Sequence, residues 1–126
     1  MIFESSSKAV AFLYVTDRSR ALAFYGDLLG LEHKSADAFG DFLSAGDTLV
    51  RMTVMPDHQP GPHPVFGWDV ADIAAAAQAL RRKDVSLIVY DGMGQDELGI
   101  WTAPDGKAKV AWFRDSEGNL LSLSQS

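Results

Sequence analysis

Val10–Asp17, VAFLYVTD, recurs 55 residues later as Val65–Asp72, VFGWDVAD. Three of the eight positions are identical, and together they form the pattern V-x4-V-x-D. Each copy is an apolar and aromatic run of strand length that ends in an aspartate, a side chain suited to capping a following helix. A helical stripe follows each copy. Ala21, Phe24, Tyr25, Leu28 and Leu29 lie at i, i+3, i+4, i+7 and i+8, with Gly30 placed to end the helix, and Ile73, Ala76, Ala77 and Leu80 repeat the stripe after Asp72. Strand, capping aspartate and amphipathic helix therefore occur twice, which reads as an internal duplication.

The residues after each helix extend the parallel. LEHKS, DFLSA and TLVRMTV are strand candidates in the first half, the last two separated by the hairpin signal Gly46-Asp47. The segment 56–64, PDHQPGPHP, holds four of the five prolines and reads as a linker, because proline lacks the amide that a helix interior or a central strand requires. In the second half VSLIVYD, a short IWTA, KVAWFR and LLSLSQ supply strands. The expected organisation is one α+β domain of two tandem β-α-β-β-β modules, at about 8–55 and 65–126.

Composition bounds the function. With 126 residues, 47% hydrophobic and 22% charged, the chain is of ordinary globular make-up and long enough to bury a core. A net charge of −6 opposes binding to nucleic acid or an anionic membrane surface. There is no cysteine, hence no disulfide and no thiolate nucleophile or metal ligand. No apolar run approaches the ~18 residues of a membrane span, and the first residues lack a signal-peptide pattern, so a cytoplasmic location is expected. No G-x-S-x-G elbow or P-loop is present, and GMG at 92–94 is followed by no helical stripe.

Two stretches carry a family resemblance: FLYVTDRSRALAFYGDLLGLE, starting at Phe12, and WFRDSEGNLLSLSQ, starting at Trp112. They resemble the signature regions of the vicinal oxygen chelate superfamily, which holds glyoxalase I, extradiol dioxygenases, and fosfomycin and bleomycin resistance proteins. The resemblance implies two β-α-β-β-β modules whose sheets curl into an open barrel around a cavity, commonly completed by homodimerisation. It also implies where metal ligands stand in the enzymes of the group. Those positions are Val10 and Val65, seven residues before the capping aspartates, Arg51 in the last strand of the first half, and Ser122, seven residues after Asp115. Valine has no lone pair, arginine repels a cation and serine is a weak neutral ligand, so no metal or other cofactor is expected there.

Counted from the positions that the resemblance marks, strand alternation gives the expected cavity wall. Phe12 and Tyr14 share a face with Val10, and Gly67 and Asp69 share one with Val65, while Ala11, Leu13, Val15, Phe66, Trp68 and Val70 face the helices. Arg51 and Ser122 project inward by their equivalence to metal ligands, and the resemblance places Trp112 beside them. Phe12, Tyr14 and Trp112 thus form an aromatic box with Tyr14, Arg51, Asp69 and Ser122 as polar handles, a composition suited to a small molecule. Asp69 inside a strand needs a partner, which is either Arg51 or the ligand. Trp101, near Asp96 and Glu97 in a glycine-rich loop, is expected as a lid over the ligand, a dimer contact or a residue packed on the barrel edge. Of the histidines, His33 reads as exposed, His58 as a linker residue, and His63 as the one able to reach the cavity rim.

The expectation is a metal-independent small-molecule binding protein, homodimeric, holding an aromatic or amphipathic ligand. The alternative is an enzyme. It would be a glyoxalase-like lyase or dioxygenase with displaced ligands such as His63, Asp69 and Glu97, or a metal-free isomerase or lyase with Asp69 as base and Arg51 or Tyr14 stabilising an enolate oxygen.

Overall fold

In the computed structural model, which describes every residue from Met1 to Ser126, both repeat aspartates cap helices. Asp17 is extended and its Oδ1 accepts the Arg20 amide at 3.0 Å, and Asp72 does the same for the Ala75 amide at 3.0 Å. Each carboxylate satisfies an amide that the first helical turn leaves without a backbone acceptor.

The first module runs β1 (Val10–Val15), α1 (Arg18–Leu22), β2 (Glu32–Asp37), β3 (Gly40–Ala45) and β4 (Thr48–Val54). Its sheet has the order β1-β4-β3-β2, with β1 parallel to β4 and the other pairs antiparallel. The face toward α1 is closed by Leu13, Val15, Leu43, Val50 and Met52, all but inaccessible. The expected regular helix through Leu29 is corrected in its second half. Residues Ala23–Leu28 form a wide turn in which the Leu29 amide reaches back five residues to the Phe24 carbonyl at 2.9 Å. Phe24 and Tyr25, adjacent in sequence, are both buried with their rings edge to face, and the widened turn lets consecutive rings share the inner side. Gly30, at φ 84°, then takes the left-handed conformation that ends the segment.

The second module repeats this topology with β5 (Phe66–Asp69), α2 (Ile73–Arg82), β6 (Trp101–Thr102), β7 (Lys109–Arg114) and β8 (Leu120–Gln125). The sheet order is β5-β8-β7-β6, again with the first strand parallel to the last. Ile73, Ala77 and Leu80 of α2 are buried, as are Ala111, Phe113, Leu121 and Leu123 of the sheet, and Trp68 stacks on Phe113. The turn before β8 is built on Asp115. Its Oδ1 accepts the Glu117 and Asn119 amides at 2.8 Å each, and its Oδ2 accepts Asn119 Nδ2 at 2.9 Å. Gly118 supplies the required φ of 87°. The two compact units of the chain are Met1–Gln59 and Pro60–Ser126, so the division falls inside the proline-rich segment.

VSLIVYD, expected as a strand, makes no ladder. Only the Ile88 amide meets a strand, at the Trp112 carbonyl, 2.8 Å away. The neighbouring groups are served by one side chain. Gln95 donates from Nε2 to the Ile88 and Gly99 carbonyls at 2.8 Å each, and its Oε1 accepts the Tyr90 amide at 2.7 Å. A glutamine amide thus stands where a neighbouring strand would be. No helix of the chain is long and apolar enough to cross a membrane.

Candidate functional site

The strand registers of the two modules match residue for residue. Phe12 pairs with Arg51 across β1 and β4, and Arg51 pairs with Phe42 across β4 and β3. At the corresponding places of the second sheet Gly67 pairs with Ser122, and Ser122 with Trp112. Arg51 is therefore the topological counterpart of Ser122, and Phe42 that of Trp112. Phe42 is the residue that sequence reasoning missed, because its place beside Arg51 depends on the β3–β4 register.

The first open face carries Val10, Phe12 and Tyr14, which are 40%, 62% and 43% exposed, while their neighbours Leu13 and Val15 are sealed. Alternation along β1 thus separates the two faces as expected. The Tyr14 ring lies 5.8 Å from that of His58. His58, rather than His63, is the histidine in ring contact with this face, and His63 is exposed ahead of Val65.

Arg51 finds a carboxylate within its own module. Its Nη2 donates to both oxygens of Asp37, at 2.8 and 2.9 Å, and its guanidinium lies 4.8 Å from the centre of the Phe42 ring. Gly40 makes this possible: it pairs with Asp37 on the same face and puts no side chain between them. The Arg51 side chain is largely covered, and its Nη1 is buried with no acceptor. The Arg51 bond, joined by the Phe39 amide, holds the Asp37 carboxyl below its ordinary value.

Asp69 sits at the end of β5 and faces its own module. Its Oδ1 accepts Ser124 Oγ at 3.1 Å and the Ser126 amide at 3.2 Å, and its Oδ2 accepts Ser126 Oγ at 2.9 Å. The partners that a strand aspartate needs are thus Ser124 and Ser126 at the end of the chain's last strand. On the same face Trp112 meets Tyr90 edge to face at 5.5 Å, and Trp101, half-buried, pairs with Val110. Ser122 lies over Gly67 so closely that a Cβ there would sit 2.7 Å from the Ser122 carbonyl oxygen.

The four positions where the resemblance implies metal ligands do not fit a metal. Two are valines, Arg51 brings a cation bonded to Asp37, and Ser122 offers one hydroxyl. His63, Asp69 and Glu97 do not replace them, since no group of three His, Asp or Glu side chains converges.

A second polar cluster lies on the helix side of the first sheet, outside the expected site. Asp41, 1% exposed, accepts Arg18 Nε at 2.7 Å and Nη2 at 3.3 Å, and lies 2.7 Å from His33 Nε2. Burial pushes the Asp41 carboxyl up, but the bonds from Arg18 and His33 outweigh it and hold the group below its ordinary value. His33 is exposed, as expected, and its ring also reaches Asp41 at the edge of the core. It borders a shallow depression of about 420 Å³ beside α1.

Comparison with known proteins agrees with this topology. The family model of the Glyoxalase/Bleomycin resistance protein/Dioxygenase superfamily matches residues 8–123. No curated protein matches the sequence. Among solved structures, TnmS3, an antibiotic binding protein from Streptomyces sp. CB03234, is similar with a TM-score of 0.69 at 20% identity, covering 99% of this chain and 98% of its own. A glyoxalase/bleomycin resistance protein from the same organism gives 0.65 at 22% identity, over 94% and 100%. A glyoxalase/bleomycin resistance protein/dioxygenase from Alicyclobacillus acidocaldarius gives 0.72 at 14% identity, over 98% and 94%. With its paired β-α-β-β-β modules, their matched registers and a family match over nearly its whole length, the chain belongs to the glyoxalase/bleomycin resistance protein/dioxygenase superfamily.

Proposed function

We propose that this protein is a metal-independent small-molecule binding protein, cytoplasmic and homodimeric, that holds an aromatic or amphipathic ligand against the open faces of its sheets. The observation that carries this reading is the chemistry of the first open face: Phe12 and Tyr14 stand exposed around Arg51, at positions with no donor set for a divalent cation. Exposed aromatic rings grouped on one strand face are costly in water and mark a surface meant to be covered. The antibiotic-binding role of TnmS3, a protein of similar fold, supports the same reading.

Asp69 as a catalytic base has less support. Both of its oxygens are engaged by Ser124 and Ser126, which fits a carboxylate that anchors the C-terminal strand.

Elemental mass spectrometry of protein purified without chelator, combined with thermal melts across a panel of aromatic compounds, tests the reading. Substoichiometric metal and a melting temperature raised by some of the panel are expected. About one metal ion per chain, with loss of stability on its removal, would overturn the metal-independent part. No response to any compound would overturn the binding part.

A further inference from the structure

We propose that Arg51 is an oxyanion receptor: the ligand of the first open face is an aromatic molecule carrying a planar carboxylate, which takes the guanidinium over from Asp37. This rests on the open face being a ligand-binding surface, and it names the chemical class of the ligand.

The argument starts from an incomplete ion pair. A guanidinium and a free carboxylate normally meet edge to edge, two N–H groups on two oxygens. Here one nitrogen, Nη2, serves both oxygens of Asp37, at 2.8 and 2.9 Å, while Nη1 is buried with no acceptor at all. A buried donor without a partner is destabilising, and folded proteins seldom keep one unless a further partner arrives. Asp37 is tethered at the end of β2, where it also receives the Phe39 and Gly40 amides at 2.8 and 3.1 Å. Those bonds hold it at the Nη2 corner. A free carboxylate is under no such restraint and, with a turn of the guanidinium that uncovers Nη1, spans Nη1 and Nη2 together.

The surroundings select the rest of the ligand. Arg51 is flanked in register by two phenylalanines, Phe42 under the guanidinium and Phe12 on the other side, the latter 62% exposed. A charge set between two rings favours an anion attached to a flat apolar body, which lies on Phe12 while its carboxylate meets Arg51. Asp37 is half exposed, so water takes up part of what its carboxylate loses when a ligand displaces it from Arg51.

The test uses matched pairs that differ only in charge: benzoate with benzamide, and 2-naphthoate with 2-naphthamide. Their affinities for the full-length protein are measured by calorimetry, and the site is located by amide chemical-shift changes at Phe12 and Phe42. Each carboxylate is expected to bind about tenfold or more tighter than its amide, a preference that Arg51→Met abolishes. Asp37→Asn, which keeps an acceptor for the turn amides but removes the competing charge, is expected to tighten carboxylate binding several-fold and leave amide binding unchanged. Equal binding of carboxylate and amide, with shifts at Phe12, would overturn the inference and leave the binding face standing. Weaker carboxylate binding to Asp37→Asn would also overturn it. If none of the four binds while other members of the aromatic panel do, the inference alone falls; silence of the whole panel removes the proposed function as well.

Discussion

Replacing Asp41 by asparagine removes one charge from the helix side of the first sheet and leaves the side-chain volume unchanged. Two consequences follow from the geometry. The carboxylate is 1% exposed and makes a short bond to Arg18 Nε, a longer one to Nη2 and one with His33 Nε2. A hydrogen bond to a charged group contributes about 1.5–3 kcal/mol, and asparagine keeps only one of the two acceptor oxygens. The Arg18 side chain is 33% exposed, so water recovers part of what it loses. The expected loss at pH 7 is therefore about 2–3 kcal/mol, a drop of about 1–2 M in the urea midpoint. The pH dependence has a definite sign. The folded-state value of Asp41 lies below the ordinary 3.8, so its contribution is present in full above that pH and is lost as the pH falls through the folded value. Urea titrations of wild type and variant at pH 7, 5 and 3 are expected to show a smaller gap at pH 3 than at pH 5. A gap under about 0.5 kcal/mol at pH 7, the ordinary scatter of surface substitutions, would refute the reasoning, and so would a gap that does not change with acid.

Gly67→Ala places a Cβ against Ser122 Oγ and 2.7 Å from the Ser122 carbonyl oxygen. It is expected to cost about 1–3 kcal/mol, and Ser122→Ala should restore only part because the carbonyl remains, as thermal melts of the double variant would show. Gln95→Ala removes three hydrogen bonds from the 85–100 loop, and hydrogen exchange should then find the Tyr90 amide deprotected while β7 and β8 keep their protection. Phe12→Ala should change stability by less than about 0.5 kcal/mol, whereas Leu13→Ala, one residue on and buried, should cost about 2–5 kcal/mol; the reverse order in urea would mean the faces of β1 are misassigned.

The features legible in the sequence are those set by short-range pattern. β1 and β5 could be placed because each apolar run ends in an aspartate that caps the next helix, and α2 because its stripe spans nearly three turns. The wide turn after α1 was not legible, since apolar residues at i, i+3 and i+4 fit a regular and a widened helix equally well over so short a length. VSLIVYD has strand composition, but its hydrogen-bond partner is the side chain of Gln95, which no periodicity announces. At the candidate site, alternation counted from Val10, the position that the family resemblance marks, was enough to assign Phe12 and Tyr14 to the open face. The partner of Arg51 was not, because Asp37 is reached diagonally across β3 past a glycine, a contact fixed by register.

The wide turn after α1 bears on how the two copies have stayed alike. The five residues of α1 and the six of the turn occupy the place that ten residues of α2 fill in the second module, one residue fewer. A helix that gains a residue within a regular spiral swings everything beyond it by about 100°. Bulging the surplus residue into a single loose coil spares the segments on either side. The pairings of the first, third and fourth strands correspond in the two copies despite helical spans of unequal length, and trimming one residue from 23–28 should be tolerated as a return to the plainer form.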